Sequence, residues 1–225
     1  MRFLKRVWAI VWKDVTSELR TKEIFTSMSV FSLLVIVIFN FVFDPGISNL
    51  EKILPGILWV AFTFAGVLGL NRSFIFEKDK DCLQGLMLCP VDRSAIYLGK
   101  MIGNVIFMLV VEVVALPIFS VLFNFSIWIL LYRLSPVLIL ATLGFAAVGT
   151  VFSAMSVNTR TREVMLPILL FPITIPVMIA AVKSTGSVLE GASLLSAVSW
   201  LNLLVVFDLI FLAISFLTFE YVIEE

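Results

Sequence analysis

Long apolar runs alternate with short polar clusters along the chain, and six of the runs are long enough to cross a bilayer. A helix rises about 1.5 Å per residue, so a hydrocarbon core about 30 Å thick takes about 20 mostly apolar residues. The qualifying runs are 24–43, 53–70, 101–125, 134–156, 165–182 and 201–222. Backbone groups inside a membrane must be satisfied within their own segment, so the runs predict helices. The fold class expected is an all-α membrane protein with six transmembrane helices.

Two polar stretches carry a pattern of their own. Over residues 1–22, Phe3, Val7, Ile10, Val11, Asp14 and Glu18 recur at helical spacing, and Trp8 and Trp12 lie one turn apart. Apolar and aromatic residues mixed with Lys5, Arg6 and Lys13 suit an amphipathic helix lying in the membrane interface. The plainer alternative is a cytoplasmic extension of the first span. The second stretch is the connection 76–100. Asp79 or Asp81 can cap a short helix there, with Cys82, Leu83, Leu86, Met87 and Cys89 as an apolar stripe. Pro90 ends it, and Asp92 is a cap for the helix that continues into the third span. The stripe either docks in a groove of another protein or rests on the membrane surface, and spacing does not choose between them.

Charge then orients the chain. Arg2, Lys5, Arg6, Lys13, Arg20 and Lys22 precede the first span, and Arg72, Lys78, Lys80, Arg93 and Lys100 lie between the second and third. Arg160 and Arg162 follow the fourth, which leaves only Lys52, Arg133 and Lys183 for the opposite face. Cytoplasmic loops carry the excess of Lys and Arg, so both termini and the 76–100 loop are expected in the cytoplasm.

Composition narrows the chemistry. Of 225 residues, 61% are hydrophobic and 14% charged, with a mean hydropathy of +1.12 and a formal net charge of zero. That balance gives no basic surface for a nucleic acid. The chain has no His, which removes the commonest general base, metal ligand and haem ligand. Cys82 and Cys89 are the only cysteines, a weak basis for a metal site, so none is expected. Cys89-Pro90 is the kind of pair found at regulatory haem sites, but it reads more simply as an apolar slot followed by a helix stop. No G-x-x-x-x-G-K-S/T loop is present to cradle nucleotide phosphates. The reading is of a non-catalytic membrane protein.

Two acids fall inside spans. An ionised carboxylate at mid-membrane costs about 2.5–3.5 kcal/mol on insertion scales, so Glu112 and Asp208 stand out. They either line a transport path or subunit interface, or bond to a neighbouring helix. In the second case the partner would be, for instance, Asn104, Asn202 or a carbonyl freed near Pro117. The fifth run holds Pro167, Pro172 and Pro176, each of which removes a backbone donor, so a distorted helix with a role in shape is expected.

Further residues carry a resemblance. Glu77, Leu83, Leu86, Leu88, Pro90, Leu98, Gly99 and Lys100 form a pattern similar to the first cytoplasmic loop of type-2 ABC exporter permeases. LPGILWVAF at 54–62, LMLCP at 86–90 and FPITIPVMIAA at 171–181 resemble, more narrowly, the B subunit of the haem exporter of cytochrome c maturation. Cys89 stands where that family more often has an aliphatic residue.

The resemblance implies one permease domain over 1–225, in a bacterial or archaeal cytoplasmic membrane. It implies a separate ABC ATPase, in two copies, docking on the loop helix through Glu77, Asp81, Leu83, Leu86, Met87 and Pro90. ATP would be held by that partner, no cofactor would be bound by the chain itself, and haem would be the transported or delivered group. Small membrane subunits and a second permease copy, identical or related, complete the implied complex. Competing expectations are a generic type-2 exporter of a drug, lipid or polysaccharide, a proton-coupled carrier using Glu112 and Asp208, and a non-transporting scaffold.

Overall fold

The computed structural model describes residues 2–43, 50–79, 82, 85, 91–126, 131–157, 159, 161–191 and 198–224. Seven long helices follow one another among these: α1 (Arg2–Thr21), α2 (Glu23–Val42), α3 (Leu50–Asp79), α4 (Arg93–Phe123), α5 (Ser135–Ser156), α6 (Arg162–Leu189) and α7 (Val198–Glu224). Six, α2 to α7, are long and apolar enough to cross a membrane. They correspond in order to the six apolar runs, so the all-α, six-span expectation holds.

The helices outrun the apolar windows mainly at the polar 76–100 connection, where α3 continues to Asp79 and α4 starts at Arg93. Hydropathy marks what lipid requires, whereas a helix continues for as long as its residues tolerate it. The α1–α2 break is a single residue. Lys22 adopts a left-handed conformation (φ 56°) and offers no side-chain cap to α2. Glu18 supplies the cap from one turn back, its Oε1 accepting the Phe25 amide at 2.8 Å.

Helix α4 begins after an extended Asp92, whose carbonyl accepts the Ala95 and Ile96 amides at 2.9 and 3.3 Å. The expected Asp92 side-chain cap is not made. Its carboxylate is instead paired with the Arg6 guanidinium of α1 at 3.2 Å, because a long-range cation competes for it. The three prolines do not divide α6, which runs continuously from Arg162 to Leu189.

Helices α3 and α5 are the most enclosed, while α2 and α7 carry most of their side chains outward. Helix α3 packs on α2 and α6, α5 on α4, α6 and α7, and α1 lies against α4. In lipid, close packing and hydrogen bonds hold helices together where the hydrophobic effect cannot. The hydrogen bonds here are numerous. Trp59 donates to Thr185 at 2.8 Å, Ser153 to the Leu70 carbonyl at 2.7 Å, Tyr97 to the Ala147 carbonyl at 3.1 Å and Asn104 to Thr150 at 3.1 Å.

Candidate functional site

Helix α1 presents two different faces to its surroundings. Val7, Ile10, Val11 and Glu18 are buried, whereas Leu4, Trp8, Trp12 and Leu19 are well exposed. At 100° per residue the two stripes lie roughly a quarter-turn apart, with Lys5, Arg6, Lys13 and Arg20 on the remaining side. One apolar stripe is used by the protein and a second is left over, which is the arrangement an interfacial helix needs.

The buried stripe meets α4 at Gly99. A β-carbon there would come within 2.7 Å of the Ile10 Cβ and 3.3 Å of the Val7 carbonyl, so only glycine allows the approach. The next residue, Lys100, is 2% exposed, with its Nζ over the Phe74 ring, 5.5 Å from the centroid. Its Nζ lies 3.0 Å from Asp14 Oδ2 of α1 and 2.7 Å from Glu77 Oε1 of α3. Lys13 joins the group, pairing with Asp14 at 3.2 Å and with Glu77. Two lysines and two carboxylates thus close a neutral cluster where α1, α3 and α4 meet. Burial works against the Lys13 charge, but Glu77 and Asp14 outweigh it and hold that ammonium above its ordinary 10.5.

The structure places Glu77 inside this cluster, 3% exposed, with its carboxylate turned to its own chain. The other residues assigned to ATPase docking, Asp81, Leu83, Leu86, Met87 and Pro90, lie outside the described residues, as does Cys89. Cys82 is exposed and unpaired in any disulfide. Among the described residues no group of three His, Cys, Asp or Glu gathers to hold a metal ion.

Deeper in the bundle, Glu112 of α4 accepts the Thr142 hydroxyl of α5 at 2.7 Å, and its other oxygen has no partner among the described residues. The partner is on a neighbouring helix but is none of the residues offered as examples, and Asn104 bonds Thr150. Thr142 was legible only as a polar position in the fourth run, with nothing to mark its register against α4. A cavity of about 20 Å³ adjoins Glu112, lined also by Trp59, Thr63, Met108, Thr142 and Met178. That is room for about one water molecule. Asp208 is 4% exposed with neither oxygen bonded among the described residues, and it faces Gly144 of α5. The two acids contact different residues of α5, Thr142 and Gly144. Pro167 is half-buried, and Pro172 and Pro176 are on the outer surface of α6.

A family model described as "CcmB protein" matches residues 5–224, from the start of α1 to the end of α7. The chain belongs to the CcmB family. It is 32% identical over 166 residues to "Heme exporter protein B" of Haemophilus influenzae, covering 73% of this chain and 72% of that one. It is 26% identical over 186 residues to the Rhodobacter capsulatus protein of the same name, covering 83% and 85%. For Escherichia coli K12 the identity is 31% over 152 residues, covering 67% and 68%. The CcmB match takes in α1 as well as the six spans, so the cluster of Asp14, Glu77 and Lys100 lies within the family's extent.

Proposed function

We propose that the chain is the membrane permease subunit of an ABC complex for haem export, or for release of a haem-loaded chaperone, in c-type cytochrome biogenesis. The observation that carries this reading is the CcmB match over 5–224, with relatives named "Heme exporter protein B". ATP is hydrolysed on a separate ABC ATPase, present in two copies. It docks on the loop helix through Leu83, Leu86, Met87 and Pro90, with Asp81 at its start. Glu77 serves that docking indirectly, since its buried carboxylate holds the root of the loop. Small membrane subunits and a second permease copy complete the assembly.

The complex sits in the bacterial or archaeal cytoplasmic membrane with both termini cytoplasmic. The excess of Lys and Arg around α1 and the 76–100 loop supports that orientation. The exposed Trp8 and Trp12 support α1 lying in the interface.

The test is co-purification with the ATPase encoded beside this chain, for wild type and for Leu86→Asp. An Asp in a docking face loses apolar contact and must be desolvated. Retention by wild type and loss by the inserted mutant is the expected result. Equal retention removes the docking assignment, and no retention by either removes the ABC reading.

A further inference from the structure

The cluster of Asp14, Glu77, Lys100 and Lys13 joins three parts of the chain that are far apart in sequence. Glu77 closes α3, the last helix before the 76–100 loop, and Lys100 lies in the second turn of α4, the first helix after it. Asp14 and Lys13 belong to α1. Lys100 touches carboxylates on both sides, at 3.0 Å toward α1 and 2.7 Å toward α3. From α4 it thus bonds both α1 and α3.

We infer that this cluster is an ionic clasp, with Lys100 as its keystone, that makes α1 and both roots of the 76–100 loop one mechanical unit. The inference rests on the proposed function for what drives the loop, though not for the clasp itself.

Three further contacts fit a rigid unit. Gly99 lets α4 come into direct contact with Ile10 and the Val7 carbonyl of α1. Arg6 reaches from α1 to Asp92 at the loop's exit. Glu18 bonds the Phe25 amide across the α1–α2 junction, so α1 is in turn fixed to the start of the first span. A push on the loop thus reaches α2 through α1, as well as reaching α3 and α4 directly.

The ions suit such a device better than apolar contacts would. An apolar face can slide by a turn at little loss, whereas a buried ammonium between two carboxylates fixes one register. Breaking one partner leaves an uncompensated buried charge, so the unit opens as a whole or not at all. A buried ion pair is also poor as a simple stabiliser, since well-packed apolar residues often do as well. Its retention here is explained by register.

The experiment reads the clasp directly and its consequence separately. Cys82 and Cys89 are replaced by Ser, and Ile10→Cys is labelled with a maleimide in native membranes. Ile10 is 5% exposed, so labelling in the otherwise intact clasp is slow. Lys100→Met should raise the rate by about tenfold or more, and Lys100→Arg, which keeps a cation between Asp14 and Glu77, should leave it near the starting value. Should Lys100→Met fail to insert, Asp14→Asn removes only the α1 side of the clasp and should raise the rate likewise. In the same variants without Ile10→Cys, ATPase retention and c-type cytochrome yield per inserted chain are measured. The clasp predicts that Lys100→Met loses cytochrome output per ATPase retained, and that Lys100→Arg keeps it. Unchanged labelling in Lys100→Met and Asp14→Asn overturns the clasp whatever the ATPase does. Faster labelling with unchanged cytochrome output overturns its mechanical role. Failure of the wild type to hold an ATPase overturns the proposed function and leaves the labelling result to decide the clasp.

Discussion

The Trp59 indole N–H donates to the Thr185 hydroxyl at 2.8 Å, tying the first half of α3 to the last turns of α6. Trp59 is 4% exposed, so its N–H has no bulk water to turn to if that acceptor is lost. Hydrogen bonds between membrane helices average about 0.6 kcal/mol, less than the usual cost of an orphaned donor, because the separated helices also find partners. Trp59→Phe and Thr185→Val should each lower resistance to unfolding in mixed micelles by about 0.5–2 kcal/mol, and the double mutant should cost less than their sum. Strict additivity in that cycle would show that the bond contributes nothing.

Gly99 is the point of closest approach between α1 and α4. Unlike the tip of a flexible side chain, the Ile10 Cβ that a new methyl would meet at 2.7 Å is anchored to the helix backbone. Gly99→Ala should therefore overpack the contact at about 1–3 kcal/mol. Adding Ile10→Ala removes Cγ2, which stands at the same 2.7 Å, but keeps the Cβ, so the pair should recover only part of that loss. The measurement is thermal stability of the purified protein, and a Gly99→Ala chain as stable as wild type would mean that α1 sits off α4.

Glu112 separates two readings of the intramembrane acids. Its bond from Thr142, at 2.7 Å, is one that a glutamine carbonyl can accept equally well. In a permease that holds Glu112 for packing, Glu112→Gln supports near-normal c-type cytochrome formation. In a proton-coupled carrier the same change abolishes transport, because no proton can be taken up or released. Thr142→Val should be worse than Glu112→Gln for folding, since it leaves both carboxyl oxygens without a donor at about 1–3 kcal/mol.

Much of this architecture was legible along the chain and much was not, for one physical reason. Lipid imposes a constraint on each segment separately, so six apolar runs announce six helices without reference to one another. The amphipathic spacing of Val7, Ile10 and Val11 likewise needs no partner to be read. What joins the helices is different. Lys100 looks like one more basic residue at a membrane edge until α1 brings Asp14 to within 3.0 Å of it. Glu77 reads as part of a polar loop, yet α3 extends past the apolar window and buries it. Asp92 sits where a cap belongs and is claimed by Arg6. Each of these depends on the register between distant helices, which periodicity within one helix does not encode. The Gly99-Lys100 pair was singled out only by resemblance, and the structure gives each half a physical task.

Glu18 offers a test by pH. It caps α2 from a distance through the Phe25 amide, because Lys22 at the cap position makes no such bond. Burial pushes its carboxyl above the ordinary 4.5, and the Phe25 and Ile24 amides pull it only part of the way back. A carboxyl whose folded value is raised favours the folded state fully below its unfolded value. It loses that contribution as pH rises through the folded one. Wild type should therefore lose stability relative to Glu18→Gln as pH is raised from below 4.5 toward neutrality. The glutamine keeps an acceptor for the Phe25 amide and carries no charge, so its own contribution should be flat. Glu18→Ala removes the acceptor altogether and should cost about 0.5–2 kcal/mol at every pH, as the loss of a helix cap does. Melting temperatures of the three proteins in detergent, from acid to neutral, decide the matter. If wild type gains on Glu18→Gln as pH rises, the carboxylate is stabilised where it sits, and Glu18 holds the α1–α2 junction by its charge instead of in spite of it.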